Sequence, residues 1–217
     1  MLPLELIKPG AALAVAPGGA PRCLGIDPSL SCTGLAGDGW TSTIPTKARR
    51  ARQGRRDFSH GRMRHILDVI RDHLDGVDLA VIEGLAMSPK MDADRQLAWL
   101  NWQVRDLCWS RDVPYAVVSP SGLKLYAVGK GRRSAKQVAA DEADGVSVKE
   151  PVLEVVRGWF GWFGTGSSDE ADAAVLHAMG RDWLGSPVVT VPPAQRVALD
   201  GVAWPEAERA LGLRVAA

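Results

Sequence analysis

The alternation of apolar and polar positions divides the chain into short buried runs and longer amphipathic stretches. The runs that predict strands are residues 22–27, 33–36 and 40–44, then Leu79–Glu83 and Tyr115–Val118. Gly37, Asp38 and Gly39 separate the second run from the third, and such a sequence is typical of a β-hairpin turn. The pattern therefore predicts an antiparallel pair early in the chain, followed by strands that alternate with helices.

Apolar residues spaced by three and four positions predict helices between and after these strands. The predicted helices are residues 58–74, Met91–Ser110, a short helix or turn from Pro120, residues 134–143 and 151–163, and Ser168–Trp183. Ser167 is a typical N-cap for the last helix, and Glu170 three residues later predicts a capping box. This order of elements favours an α/β fold, in which a mixed sheet with an antiparallel hairpin edge and parallel strands is flanked by helices on both faces.

Composition changes near both ends of the chain. Residues 1–20 are rich in Gly, Pro and Ala and predict a flexible lead. Residues 186–217 combine a proline-flanked extended stretch with a predicted helix at 204–211. We therefore expect one folded domain over residues 21–185, followed by an appendage to which the sequence assigns no chemistry.

Four carboxylates occupy positions where apolar elements begin or end. Asp27 ends the first strand, Glu83 ends the fourth, and Asp169 and Asp172 lie near the start of the last helix. Burying such groups is costly unless a positive charge compensates. If the three segments converge, hard divalent cations such as Mg²⁺ are the simplest compensation, because they bind oxygen ligands. The pattern favours two-metal chemistry on phosphate esters, although each acid taken alone also fits an ion-paired or capping role.

The charge of the chain is nearly balanced overall but uneven along its length. Its 217 residues carry a formal net charge of +1 at pH 7. Two basic clusters contain Arg49, Arg50, Arg52, Arg55 and Arg56 in the first and Lys124, Lys130, Arg132, Arg133 and Lys136 in the second. Clusters of this kind favour a polyanion partner, and a solvated surface is the alternative reading of the arginine run.

The cysteines and the apolar runs indicate the compartment. Cys23, Cys32 and Cys108 have no metal-binding spacing and leave one thiol over in any disulfide scheme, which favours a reducing environment such as the cytoplasm. None of the apolar runs approaches the ~20 residues that a membrane span needs, so no membrane partner is expected.

The predicted helix Met91–Ser110 carries apolar residues on two sides. Leu100 and Val104 belong to one stripe, and Trp99, Trp102 and Trp109 form the other. One stripe can face the domain core, and the second then needs a cover. That cover is either another part of the fold or a second copy of the chain.

The acidic segments together resemble a known nuclease family. The segments that carry the resemblance are Gly25-Ile26-Asp27-Pro28, Thr33-Gly34, Val81-Ile82-Glu83 and Asp169-Glu170-Ala171-Asp172-Ala173. Their order and spacing are similar to those of the RuvC Holliday-junction resolvases, which have a ribonuclease H-like fold. The match spans roughly residues 22–183. The lead, the Arg-rich stretch and the appendage fall outside it and resemble the divergent branch found in bacteriophages.

By this resemblance, Asp27, Glu83, Asp169 and Asp172 are the metal-binding and catalytic carboxylates. The resemblance further implies Mg²⁺ as the cofactor, with Mn²⁺ as a substitute, and hydrolysis that leaves 5′-phosphate and 3′-hydroxyl ends. The roles of the two helix aspartates stay undivided at this point.

The resemblance also implies partners. Lys124 and Lys136 match lysines that contact DNA near the site, and the long helix with its Trp stripe matches the element around which the family forms homodimers. The substrate class is branched DNA, four-way junctions above all, in the cytoplasm of a bacterial or phage-infected cell.

The function expected from the sequence is thus a metal-dependent endonuclease that cuts branched DNA. Two alternatives remain open. The chain could bind branched nucleic acid without cutting it, or it could be a ribonuclease H-like nuclease that acts on flaps or RNA.

Overall fold

A computed structural model describes residues 20–46, 60–85, 91–131, 150–160 and 166–206, with the side chains of residues 91–94 excepted. A five-stranded mixed sheet lies at the centre of the described molecule. Its strands are β1 (Cys23–Asp27), β2 (Cys32–Gly37), β3 (Trp40–Pro45), β4 (Leu79–Glu83) and β5 (Tyr115–Val118). Each predicted strand is present, with ends that differ by at most one residue.

The strand order across the sheet is β3-β2-β1-β4-β5. Strand β1 pairs antiparallel with β2 and parallel with β4, and β4 pairs parallel with β5. Between β2 and β3 the chain reverses at Gly39, whose φ of 77° lies in the left-handed region that glycine adopts without strain. The predicted mixed sheet with an antiparallel hairpin edge is confirmed.

Helices cover both faces of this sheet, as predicted. They are α1 (His60–His73), α2 (Met91–Ser110), α3 (Pro120–Val128), α4 (Glu150–Trp159), α5 (Ser168–Trp183), the short α6 (Pro193–Arg196) and a 3₁₀ helix (Val197–Gly201). Helices α1 and α2 lie on one face, and α3, α4 and α5 lie on the other. The predicted helix at 134–143 lies outside the described residues.

Side chains along β1 and β4 alternate between the two faces, because successive residues of a strand point to opposite sides. Ile26 and Ile82 belong to the apolar cluster packed against α1 and α2. Cys23 and Val81 belong to the cluster on the α5 side. Even-numbered residues of these strands therefore face α1 and α2, and odd-numbered residues face α5.

Helix α5 rests almost directly on the backbone of β1 and β2. A Cβ atom added to Gly25 would lie 2.0 Å from the carbonyl oxygen of Ala173. One added to Gly34 would lie 1.9 Å from the carbonyl oxygen of Asp169. Any side chain at these two positions would lift the helix, so glycine fixes the height of α5 above the strands.

Residues 186–206 pack against α3 and the end of α5. The Tyr126 hydroxyl donates a hydrogen bond to Asp182 Oδ2 (3.1 Å), and Arg196 Nε donates to both oxygens of the same carboxylate (2.9 and 3.0 Å). The rings of Trp183 and Trp204 stack with centroids 5.0 Å apart. The buried Asp182 carboxylate is thus paired with a cation, Arg196, and with a neutral donor, Tyr126. These contacts hold the segment against the rest of the fold.

The local structure of this C-terminal segment differs from the expectation. It contains α6 and the 3₁₀ helix, which the proline pattern did not predict. Residues 204–206, the described part of the helix predicted at 204–211, are not helical. The segment takes its form from contacts with α3 and α5, to which local sequence patterns are blind.

Candidate metal centre

Three carboxylates from separate parts of the chain meet at one edge of the sheet. One oxygen atom each from Asp27, Glu83 and Asp172 lies within 4.8 Å of the others. Asp27 is buried, and the other two are half-buried. Carboxylates this close repel one another, and a cation among them offsets the repulsion. Because all the donors are oxygen atoms, the cluster fits a hard divalent cation.

The sheet places two of these three side chains. Asp27 and Glu83 end the neighbouring parallel strands β1 and β4, in which Ile26 lies beside Ile82. Continuing this register by one residue brings Asp27 beside Glu83. Both are odd-numbered, so their side chains point to the α5 face of the sheet.

Helix α5 supplies the third carboxylate, that of Asp172, from its first turns. Ser167 is the N-cap, as predicted, and its side-chain oxygen accepts a hydrogen bond from the backbone N–H of Asp169 at 3.2 Å. The close approach at Gly34 holds this end of the helix against β2. Asp172 therefore reaches the strand ends because α5 lies low on the sheet.

Asp169, the fourth predicted carboxylate, lies one turn earlier and is not a member of the three-carboxylate cluster. Its carboxylate is 3.5 Å from the Ser167 hydroxyl. It also lies close enough to Cys32 to act on its thiol. Burial raises the pKa of that thiol, and the charge of Asp169 raises it further. The structure thus distinguishes the two helix aspartates, which the sequence left equivalent.

The turn that follows Asp27 is closed by side-chain hydrogen bonds. Thr33, which is fully buried, donates from its hydroxyl to the carbonyl oxygen of Ser29 (2.8 Å) and accepts from the Ser29 N–H (3.1 Å). This pair of bonds fixes the path of the chain directly after Asp27.

Asn101 is a residue next to the site that the sequence did not single out. It lies on α2, is buried, and donates from Nδ2 to the backbone carbonyl oxygen of Glu83 at 2.8 Å. The available signal was a polar residue between Leu100 and Val104 on a helix face that is otherwise apolar. Such a residue is more informative than an exposed one, because a buried amide requires partners.

Of the predicted DNA-binding residues, only Lys124 lies within the described part of the chain. Lys124 is half-buried on α3, the helix that follows β5 and is capped by the Ser119 hydroxyl. The remaining ones, Lys136, Arg132, Arg133, Arg49, Arg50, Arg52, Arg55 and Arg56, lie outside the described residues.

The Trp stripe of α2 is on the surface of the described chain. Trp99, Trp102 and Trp109 are 42%, 62% and 64% exposed, whereas Leu100 and Val104 are fully buried. The guanidinium of Arg105 lies over the Trp102 ring, 4.7 Å from its centroid. The stripe could be covered by another part of the fold or by a second copy of the chain. The described residues of the fold do not cover it.

A second polar cluster lies toward the C-terminal end of α5. His177 Nε2 is 3.3 Å from Asp38 Oδ1, and Arg181 forms an ion pair with the same carboxylate. The close contact with His177 is the main cause that lowers the pKa of Asp38, and the charges of Arg181 and Arg22 lower it further, against the effect of burial. This cluster links the tip of the β2–β3 hairpin to α5.

The three cysteines are free thiols, and burial raises the pKa of Cys108 to about 12.

Among the helices of the described ranges, none combines the length and apolarity needed to cross a bilayer.

No family model matches the sequence, and no curated protein matches it. Solved structures do match. The chain is similar to RuvC of Thermus thermophilus in complex with a Holliday junction substrate, with 17% identity, a TM-score of 0.52, and coverage of 72% of this chain and 90% of that one. A second RuvC structure from Thermus thermophilus matches with 18% identity, a TM-score of 0.48 and the same coverage.

The yeast mitochondrial Holliday junction resolvase Ydc2 matches with 15% identity and a TM-score of 0.39, over 83% of this chain and 81% of that one. At such identities a structural match establishes the fold, and the first match spans nearly the whole RuvC chain. The chain therefore has the RuvC-like, ribonuclease H-type fold that the acidic segments implied.

Proposed function

We propose that this chain is a metal-dependent endonuclease that cuts branched DNA, including four-way junctions. The observation that supports the proposal is the cluster of Asp27, Glu83 and Asp172, whose oxygens lie within 4.8 Å of one another. The cluster stands at the carboxyl ends of parallel strands in a RuvC-like fold. The RuvC structure with this fold was solved with a Holliday junction substrate.

Asp27, Glu83 and Asp172 would hold Mg²⁺, or Mn²⁺ in its place. Such ions, when bound in pairs, lower the pKa of water and stabilise the leaving oxygen of a phosphodiester. Asp169, one turn away, would contribute to binding a second ion. The products would carry 5′-phosphate and 3′-hydroxyl ends.

The chain's own residues orient the substrate. Lys124 lies on α3, which begins two residues after Val118, and Val118 is the β5 partner of Glu83. We infer that Lys124 contacts a phosphate next to the carboxylates. Lys136 and the basic residues Arg132, Arg133, Arg49, Arg50, Arg52, Arg55 and Arg56 would supply further phosphate contacts, so that binding weakens as salt is raised.

A homodimer is part of this proposal. The exposed stripe of Trp99, Trp102 and Trp109 on α2 is a surface that a second copy of the chain could cover. A two-fold dimer carries two active sites related by symmetry, which suits paired cuts across a four-way branch. The nuclease domain would span residues 21–185. We also propose that the protein acts in the cytoplasm and belongs to the divergent, phage-type branch of the resolvases.

The test is a cleavage assay with labelled four-way, three-way, flap and linear DNA in Mg²⁺ or Mn²⁺. We expect the wild type to cut branched DNA and a chelator to stop it. Asp27→Asn should reduce the rate by about a thousandfold, the equivalent of roughly 4 kcal/mol, while binding is retained. Asp200→Asn, which removes an exposed carboxylate on the 3₁₀ helix, is the matched control and should cut normally.

The other outcomes distinguish the alternatives. Tight binding of branched DNA without cleavage in either metal would favour a binding module. Preference for flaps over four-way junctions would favour a different ribonuclease H-like nuclease. Wild-type cleavage by Asp27→Asn would remove the cluster from the chemistry altogether.

A further inference from the structure

A proline directly follows the first metal-site carboxylate and leaves a gap in the hydrogen bonding of the sheet. In a parallel pair, every second residue of a strand bonds to the two residues that flank its partner on the other strand. Glu83 lies opposite Asp27, and the residues that flank Asp27 are Ile26 and Pro28. Since proline has no N–H, the ladder cannot supply a donor from position 28.

The backbone hydrogen bonds of β4 fix which way the Glu83 carbonyl points. The Leu79 N–H donates to Arg22 O on the β1 side, whereas the N–H groups of Ala80 and Gly84 donate to Pro114 O and Val118 O on the β5 side. Odd-numbered residues of β4 therefore direct their backbone groups toward β1. The carbonyl of Glu83 points to where an N–H of residue 28 would be.

Asn101 provides the missing donor from the opposite face of the sheet. Its Nδ2 donates to the Glu83 carbonyl oxygen at 2.8 Å, and its side chain is 1% exposed. The other half of the amide, Oδ1, is buried and has no hydrogen-bond partner within the described ranges. A leucine of the same shape would avoid this unsatisfied acceptor, so packing alone does not explain an asparagine here.

We propose that Asn101 is a positioning residue for the metal ligand Glu83, replacing the backbone donor that Pro28 removes. By holding the last carbonyl of β4, it fixes the backbone from which the Glu83 carboxylate extends toward Asp27 and Asp172. The inference rests on the proposed metal centre and assigns a role in it to α2, the helix that carries the Trp stripe.

The test measures Mn²⁺ affinity by calorimetry on the full chain without DNA, together with thermal unfolding. Asn101→Leu keeps the side-chain shape and removes the donor, and we expect Mn²⁺ to bind about tenfold more weakly, as is typical when a partner of a metal ligand is lost. The control is Leu100→Ala on the same helix, which removes buried apolar contacts. It should lower the unfolding temperature and leave Mn²⁺ affinity close to that of the wild type.

A second variant tests the reason for the arrangement. Adding Pro28→Ala to Asn101→Leu restores an N–H at position 28, and part of the lost Mn²⁺ affinity should return. If Asn101→Leu does not fold, Asn101→Ser, which keeps a shorter donor, takes its place in both comparisons, and an intermediate loss is expected.

The outcomes separate this inference from the proposed function. Equal Mn²⁺ binding by the wild type and Asn101→Leu would overturn the inference alone. So would an equal loss in Leu100→Ala, or a Pro28→Ala substitution without effect on the Asn101→Leu affinity. Absence of Mn²⁺ binding by the wild type would overturn the metal centre and this role with it.

Discussion

At the scale of single residues, the candidate site depends on which aspartate of α5 faces the strand ends. Asp172 shares a 4.8 Å cluster with Asp27 and Glu83, whereas Asp169 lies beside Ser167 and Cys32. One helical turn thus separates a carboxylate inside the cluster from one at its border. The two should differ in their effect on metal binding.

We expect Asp172→Asn to weaken Mn²⁺ binding by about 10- to 100-fold and Asp169→Asn to weaken it less, because only the first removes a member of the cluster. Calorimetric titration of both variants and the wild type measures this. Because both substitutions keep the side-chain shape and lie on the same helix, each controls for the other. Equal losses would mean that both aspartates hold the same ion.

Asp38 gives a prediction about pH. His177 and the neighbouring arginines lower its pKa in the folded chain, so this interaction stabilises the fold above the unfolded pKa and is lost as pH falls through the folded one. Asp38→Asn should therefore lower the free energy of unfolding at pH 7 more than at pH 3. Urea unfolding of both proteins at the two pH values measures the difference, and a gap that does not change with pH would contradict it.

At the scale of elements, the position of α5 over β1 and β2 decides whether the site can form. The helix reaches the strand ends because Gly25 and Gly34 have no side chains to hold it away. Helix and strands thus meet backbone to backbone, and the contact has little room to adjust.

Gly34→Ala should destabilise the fold by about 1–3 kcal/mol and weaken Mn²⁺ binding, because the new methyl group would meet the carbonyl of Asp169. Gly158→Ala in α4 is the matched control, since a Cβ there has nothing within 4 Å. It should leave stability unchanged or slightly raised. Denaturant unfolding and calorimetry test both, and a Gly34→Ala protein that binds metal normally would refute the argument.

The elements differ in how well the sequence predicts them. The strands and the helices Met91–Ser110 and Ser168–Trp183 follow from their own periodicity and caps, because their buried faces are continuous in sequence. The C-terminal segment takes its shape from distant partners, namely the Asp182 carboxylate and the Trp183 ring. Local patterns carry no record of such contacts.

The same limit applies within the site. The carboxylates could be predicted because acids at the ends of apolar runs are unusual. Asn101 could not be assigned a role, since its partner is the backbone carbonyl of Glu83. Every residue has a backbone carbonyl, so the sequence does not show which residue accepts such a hydrogen bond.

At the scale of the whole molecule, the Trp stripe of α2 is an apolar surface that the described residues of a single copy leave exposed. Trp102 is 62% exposed with Arg105 over its ring. Large apolar side chains grouped on one helix face are typical of an interface. The proposed dimer would cover them with the same stripe of a second chain.

Trp102→Glu should shift the chain from dimer to monomer, because it places a charge in the centre of the proposed interface. Sedimentation velocity over a range of concentrations measures the shift. Val197→Glu, which adds the same charge at a residue that is 51% exposed on the 3₁₀ helix, is the control and should leave the dimer intact. A wild type that sediments as a monomer at every concentration would exclude the interface.

The distance in sequence between Asp27, Glu83 and Asp172 has a thermodynamic consequence. An unfolded chain scatters these carboxylates, so a divalent ion that they bind is a ligand of the native state and shifts the folding equilibrium toward it. By linkage, each tenfold rise in free Mn²⁺ above the dissociation constant should add about 1.4 kcal/mol to the unfolding free energy, an increment that Asp27→Asn would diminish. Depletion of such ions would then reduce the folded population as well as the activity.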